Sequence, residues 1–325
     1  MRTSKKLALV AVAAVFIYIA AACGAAAKLE TWAIGRITAG MALPETAETP
    51  LLSPPCSISS AAPSPSPASA DSAAEKAIPT TISGGLQIKN ETKYQVDIPA
   101  LLKSGPSISL EKGKPQVLII HTHSCEAYAP AGLDKYDSGG SSRTEDKRLS
   151  VIRVGDELTE LLTEQGLSVI HDRDIYDYPS YTGSYKRSGA AVQGFLKKYP
   201  TIKIVIDLHR DALGAGDEVY KTVADEKGVC ASQIMLLTGT DESGLSNPNW
   251  RENLKLALYL QNAVSKAHPS LMRPVEIVPQ RYNLHLTTGS LILEVGSSGN
   301  TLQEALAAVR LFADSAGPAL CRLAD

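Results

Sequence analysis

Aromatic side chains make up only 5% of this 325-residue chain, and no basic stretch is interleaved with rings. With a formal charge of −2 as well, the chain lacks both the charge footprint and the stacking surface of a nucleic-acid binder, so no nucleic acid is expected. Cysteine is equally sparse. Five residues (23, 56, 125, 230 and 321), odd in number and scattered, exclude a disulfide framework. Cys125 lies among polar residues of interest and reads as a bystander there. There is no internal repeat, which removes solenoid architectures.

One long uncharged run is present. Leu7–Ala27 contains no charged residue and follows Arg2, Lys5 and Lys6. As a helix it would span roughly 31 Å at ~1.5 Å per residue, enough for a ~30 Å hydrocarbon core. The flanking positive charges put the N-terminus in the cytoplasm. The small residues from Ala22 to Ala27 also suit signal cleavage, but the run exceeds a normal signal-peptide apolar segment, which favours a retained anchor. Residues 1–27 are therefore expected to be a membrane anchor. Residues 28–83 change texture, with Pro44, Pro54-Pro55 and the run Pro63-Ser-Pro65-Ser-Pro67. Such a composition cannot bury enough apolar surface to order itself and reads as an extracytoplasmic linker. Gly84-Gly85 opens the expected catalytic domain, 84–325. The resulting expectation is a single-pass protein of the cell membrane with its domain outside.

Within that domain, strand and helix patterns alternate. Val117–Ile120 (VLII) reads as a strand buried on both faces, Ile202–Leu208 and Leu291–Val295 as further strands, and Ala231–Leu237 as another. Helices are expected over Leu149–Gln165, Tyr185–Tyr199, a segment opened by Asn247-Pro248, and a last one opened by the capping box Thr301-x-x-Glu304. The alternation predicts an α/β fold, with a mixed or largely parallel sheet flanked by helices on both faces.

Polar residues gather where these strands end. VLII runs into His121-Thr-His123-Ser-Cys-Glu126, IKIVIDL runs into His209, and LILEVG carries Glu294 inside an apolar run. The carboxyl ends of strands are where open α/β sheets bind ligands. His123, Glu126 and His209 supply two imidazoles and a carboxylate, leaving tetrahedral zinc one open position, as in catalytic rather than structural sites. Glu294 is then the natural general base and acid, and the reaction class that fits is amide hydrolysis. Alternatives stand beside this set. His121 can replace His123, and Glu145 or Asp146 can replace Glu126. Arg210 and His285 are candidates for contacting substrate. His171 and His268 read as surface residues, Tyr176–Tyr185 as a sugar- or peptide-contacting loop, and Ala212–Val229 as a flap or plain loop.

HTHSCEAY, HDRDIYDYPSYTGSYKRS, IVIDLHRDA, NPNWRENLKLAL and RYNLHLTTGSLILEVGSSGNTLQEA resemble stage II sporulation protein P of endospore-forming bacteria, over roughly residues 86–315. That resemblance implies a phosphorylase/hydrolase-like fold, as in zinc-dependent cell-wall amidases. It implies a membrane-anchored peptidoglycan hydrolase of engulfment, acting as N-acetylmuramoyl-L-alanine amidase and as endopeptidase on cross-links. It also implies the stage II sporulation proteins D and M as partners. His123, His209 and Glu294 match the family's essential residues. Cell-wall amidases usually place the carboxylate ligand at the start of the next helix, here Glu145 or Asp146, whereas zinc carboxypeptidases place it at Glu126, the expectation kept here. Two other classes share these features: a zinc carboxypeptidase-like enzyme acting on soluble peptides, and a non-catalytic wall-binding scaffold.

Overall fold

The computed structural model describes residues 80–83, 85–129, 142–214 and 219–324. The expected anchor (1–27) and nearly all of the expected linker (28–83) lie outside the described residues. Among the described residues no helix is long and apolar enough to cross a membrane. All of them belong to one unit, Ser53–Asp325.

Its strands are β1 Thr80–Ser83, β2 Leu86–Asn90, β3 Val117–Ile120, β4 Val169–His171, β5 Ile204–Asp211, β6 Ala224–Glu226, β7 Val229–Ala231, β8 Ile234–Gly239, β9 Val275–Val278 and β10 Gly289–Ser297. Eight of them form one sheet in the order β1-β2-β9-β8-β10-β5-β3-β4. β10, β5, β3 and β4 run parallel to one another. β8 is antiparallel to β10, while β9 and β2 run parallel to β8. The sheet is thus mixed, with its direction reversing between β8 and β10. The remaining pair, β6 and β7, forms a hairpin that starts within the segment expected to be a flap or loop (Ala212–Val229) and ends just beyond it.

Strand alternation divides the sheet into two faces. Val117 and Ile119 of β3, Ile204, Ile206 and Leu208 of β5, and Leu291, Leu293 and Val295 of β10 all enter the main core. Four helices pack on that face: α1 Ile98–Ser104, α2 Val151–Glu164, α4 Trp250–Ala267 and α5 Leu302–Cys321. α2 does so through Val151, Val154, Leu158 and Leu162, one stripe at helical spacing, each fully buried. Ser150 caps its first turn by accepting from the Ile152 amide, and Thr301 with Glu304 closes both halves of a capping box on α5. The opposite face is covered differently. Leu118, Ile120 and Val205 pack against Val192 and Phe195 of α3, Ser184–Lys198. Further along, Ile292 packs with Met235, Leu237, Val278 and Leu284 in a cluster that contains no helix residue. Helices therefore flank both faces unequally, and the thinly covered face holds the chemistry.

Several local expectations are corrected. Asn247 does not cap α4: Asn249 precedes Trp250, and the Asn247 side chain donates instead to the Gly239 carbonyl. β1 pairs antiparallel along the outer side of β2. His171 and His268 are not surface residues. α2 lies over the His171 ring, and His268 follows α4 with 8% exposure.

Candidate active site

The turn after β3 is held from every side. Thr122 donates its amide to Asp207 Oδ1 (2.8 Å) and its hydroxyl to Asp207 Oδ2 (2.6 Å). Ser124 donates to the His121 carbonyl (2.6 Å), and the Cys125 amide donates to both oxygens of Asp177 (3.2 Å each). Asp177 is sealed from solvent and ion-paired with Arg143. Burial and Asp177 push the Cys125 thiol up to about 12, which keeps it an inert bystander.

This turn presents His123 and Glu126 towards His209 on β5. His123 Nδ1 lies 3.4 Å from Glu126 Oε1, and His209 Nδ1 lies 3.4 Å from Glu126 Oε2. Donor atoms of the three residues all fall within 4.8 Å of one another. Four-coordinate zinc, with donors at about 2.0–2.1 Å, places those donors about 3.3 Å apart. The separations and the chemistry of the set therefore fit such a cation. The His123 ring is fixed by Tyr181 stacked on it (4.6 Å, 23°) and by Tyr185 edge-on (5.3 Å). Arg210 donates its amide to Glu126 Oε2 (3.0 Å).

Glu294 is the register partner of His209 on β10, so strand pairing alone sets the two side by side. Its Oε2 is buried without a hydrogen-bond partner. Burial pushes its carboxyl up to about 8; the charge on His209 opposes this, and the carboxylates of Glu126, Asp211 and Asp207 add to it. Burial also works against protonation of His209, yet Asp207 and Glu126 outweigh it and hold its pKa well above the ordinary histidine value. Burial would raise Glu126 too, but His209, His123 and Arg210 hold it well below the usual carboxylate range. Without a cation, then, His209 supplies the positive charge that lets two carboxylates share this space. A cation bound here would take over that role, with His209 neutral as a ligand.

The alternatives separate cleanly in space. His121 does not join the cluster: its Nδ1 faces the Leu208 carbonyl (2.8 Å) and its Nε2 faces His171 Nε2 (2.8 Å). His171 Nδ1 in turn meets Asp156 (3.1 Å). Burial drives His121 down to about 3 and His171 to about 4. Asp146 forks onto Arg148 at the surface. Glu145 lines a cavity of about 210 Å³ together with Cys125, Arg143, Thr144, Asp177 and Tyr178. Arg210 is buried, and its guanidinium donates to the carbonyls of Ala127, Asp211 and Ser142. That arrangement binds the Glu126 loop to β5 through three of the guanidinium's five N–H groups. His285 lies apart, its carbonyl accepting from Asn249, and no described contact links it to His123, Glu126, His209 or Glu294.

Asp207 went unread in the sequence. It lies 2.9 Å from His209 Nε2, without the alignment of a full hydrogen bond, while Thr122 holds both its oxygens. A carboxylate on the far nitrogen of a ligating histidine orients the ring and raises its basicity. The signal was there: Asp-x-His in a strand puts both side chains on one face.

Together these features define an α/β protein with a candidate metal-binding cluster at the carboxyl ends of parallel strands. The stage II sporulation protein P family model matches residues 57–316, and the chain belongs to that family. Stage II sporulation protein P of Bacillus subtilis (strain 168) is 28% identical over 212 residues, which cover 62% of this chain and 50% of that protein. The chain therefore matches about half the length of that relative. Among solved structures, N-acetylmuramoyl-L-alanine amidase AmiC2 of Nostoc punctiforme is 15% identical, covering 65% of this chain and 97% of that one, with a TM-score of 0.39. The N-acetylmuramoyl-L-alanine amidase of Clostridium difficile 630 is 13% identical at the same coverage, with a TM-score of 0.41.

Proposed function

We propose that this protein is a zinc-dependent peptidoglycan hydrolase of sporulation, an N-acetylmuramoyl-L-alanine amidase with endopeptidase action on cross-links. The observation that carries this is the placement of Glu294, with one buried unpartnered oxygen, beside the His123–Glu126–His209 set. Family membership supports the cell-wall setting.

In this reading His123, Glu126 and His209 hold the ion. When bound, zinc supplies Lewis acidity towards the amide carbonyl and lowers the pKa of water. Glu294 accepts a proton from the attacking water and passes it to the leaving amine. Asp207 keeps His209 turned with Nδ1 towards the ion. Ring contacts from Tyr181 and Tyr185 stop His123 from swinging away. The proposal extends to a retained anchor at Leu7–Ala27, an extracytoplasmic domain, and association with stage II sporulation proteins D and M.

The test is mass spectrometry of fragments released from purified peptidoglycan by the zinc-loaded full chain, with Glu294→Gln as the blank. Free stem peptides beginning at L-alanine, absent from the blank, support the amidase. Cross-link cleavage with the lactyl amide intact would make the protein a peptidase instead. No release at all would remove the catalytic reading.

A further inference from the structure

An amide hydrolase must stabilise the charge that grows on the carbonyl oxygen, and a preorganised donor usually supplies much of that effect. Arg210, the nearest cation by sequence, is committed to three backbone carbonyls. Arg143 is committed to Asp177 and lies over Tyr181. A tyrosine beside the cluster offers a further donor.

Tyr185 occupies the first turn of α3, where Asn283 anchors its carbonyl (2.9 Å). Its ring meets His123 edge-on at 5.3 Å and Tyr282 at 5.2 Å. The two tyrosines differ in reach, because Tyr185 touches a candidate ligand and Tyr282 does not. The Tyr185 hydroxyl has no hydrogen-bond partner among the described residues and is not among the sealed polar atoms, so it remains free to donate.

Resting on the amide-hydrolase reading, we infer that Tyr185 is a substrate-contacting residue whose hydroxyl donates to the oxygen of the scissile carbonyl as it gains charge. The proton stays on the phenol throughout, and no bond to Tyr185 forms or breaks. Because that hydroxyl makes no internal hydrogen bond, its removal leaves the folded protein intact.

Tyr185→Phe is compared with the wild type for turnover of a soluble glycan bearing stem peptides, zinc content, thermal midpoint and affinity for acetohydroxamate. The expected result is kcat lower by about 10²-fold, the loss typical for one such donor, with KM, zinc content and midpoint unchanged. Acetohydroxamate should bind the zinc-loaded variant about tenfold more weakly, about one hydrogen bond's worth. Turnover within threefold of wild type overturns the inference, as does loss of zinc or of the fold, which would assign Tyr185 to scaffolding. An inactive wild type defeats the amidase reading, and acetohydroxamate then decides on Tyr185 alone: equal affinity overturns it, weaker binding upholds a donor at the site.

Discussion

Replacing Glu294 with Gln should stabilise the metal-free protein, and by more as the pH rises. The Glu294 carboxyl stands near 8 in the fold against an ordinary 4.5, chiefly because burial disfavours its charge. A carboxyl raised in this way favours the folded state fully below pH 4.5. That contribution is lost between pH 4.5 and 8, because the unfolded chain ionises first. At about 1.4 kcal/mol per pH unit, the full loss is about 5 kcal/mol, with about 2–3 kcal/mol of it falling between pH 5 and 7. Glutamine has the same shape and no charge to lose. Urea unfolding in EDTA at pH 5, 6, 7 and 8 should therefore show the variant gaining on the wild type across the series. Saturating zinc should narrow the gap, since a divalent cation beside Glu294 favours its ionised form. A stability difference constant within about 0.5 kcal/mol from pH 5 to 8 would refute the electrostatic argument.

Asp207→Asn should weaken zinc affinity roughly 10- to 100-fold, as the loss of a carboxylate behind a ligating histidine typically does; competition with a chelating dye measures it, and unchanged affinity would remove Asp207's orienting role. Gly155→Ala should cost about 1–3 kcal/mol, because a Cβ there would sit 2.6 Å from His121 Nε2 and 2.7 Å from His171 Nε2; a variant as stable as wild type in urea would mean the histidine pair yields. Thr301→Ala should cost about 1 kcal/mol through loss of the α5 cap, read from the same unfolding curves.

Much of the scaffold was readable because burial writes itself into local pattern. The apolar runs of β3 and β10 and the stripe of α2 were legible in the sequence, since a strand covered on both faces is apolar throughout and a helix on one face is apolar along one stripe. The capping box of α5 was readable for a related reason: its hydrogen bonds close within four residues. Weaker patterns failed. β9 has the charged Glu276 inside its four residues, which breaks the apolar run that marked β3, and α1 spans only seven residues, about two turns. At the start of α4, Asn247 and Asn249 compete as caps. Neither side chain caps the helix: Asn247 donates to the Gly239 carbonyl on β8 and Asn249 to the His285 carbonyl, partners no local window contains.

At the site, the sequence alone determined which chemistry was available: two imidazoles and a carboxylate near strand ends, with a second carboxylate in an apolar run. It did not decide which side chains meet. His121 and His123 are two residues apart, and the turn after β3 sends one to His171 and the other to Glu126. Arg210 adjoins His209, yet strand alternation points it to the Ala127 and Ser142 carbonyls. Asp207 reaches His209 along its own strand, while Thr122, 85 residues away in sequence, fixes its oxygens. Residue types carry donor chemistry, whereas distance and direction arise only when β10, β5 and β3 pair in register. Only the tertiary structure decided that Glu126 lies between the two histidines and Glu294 beside one of them.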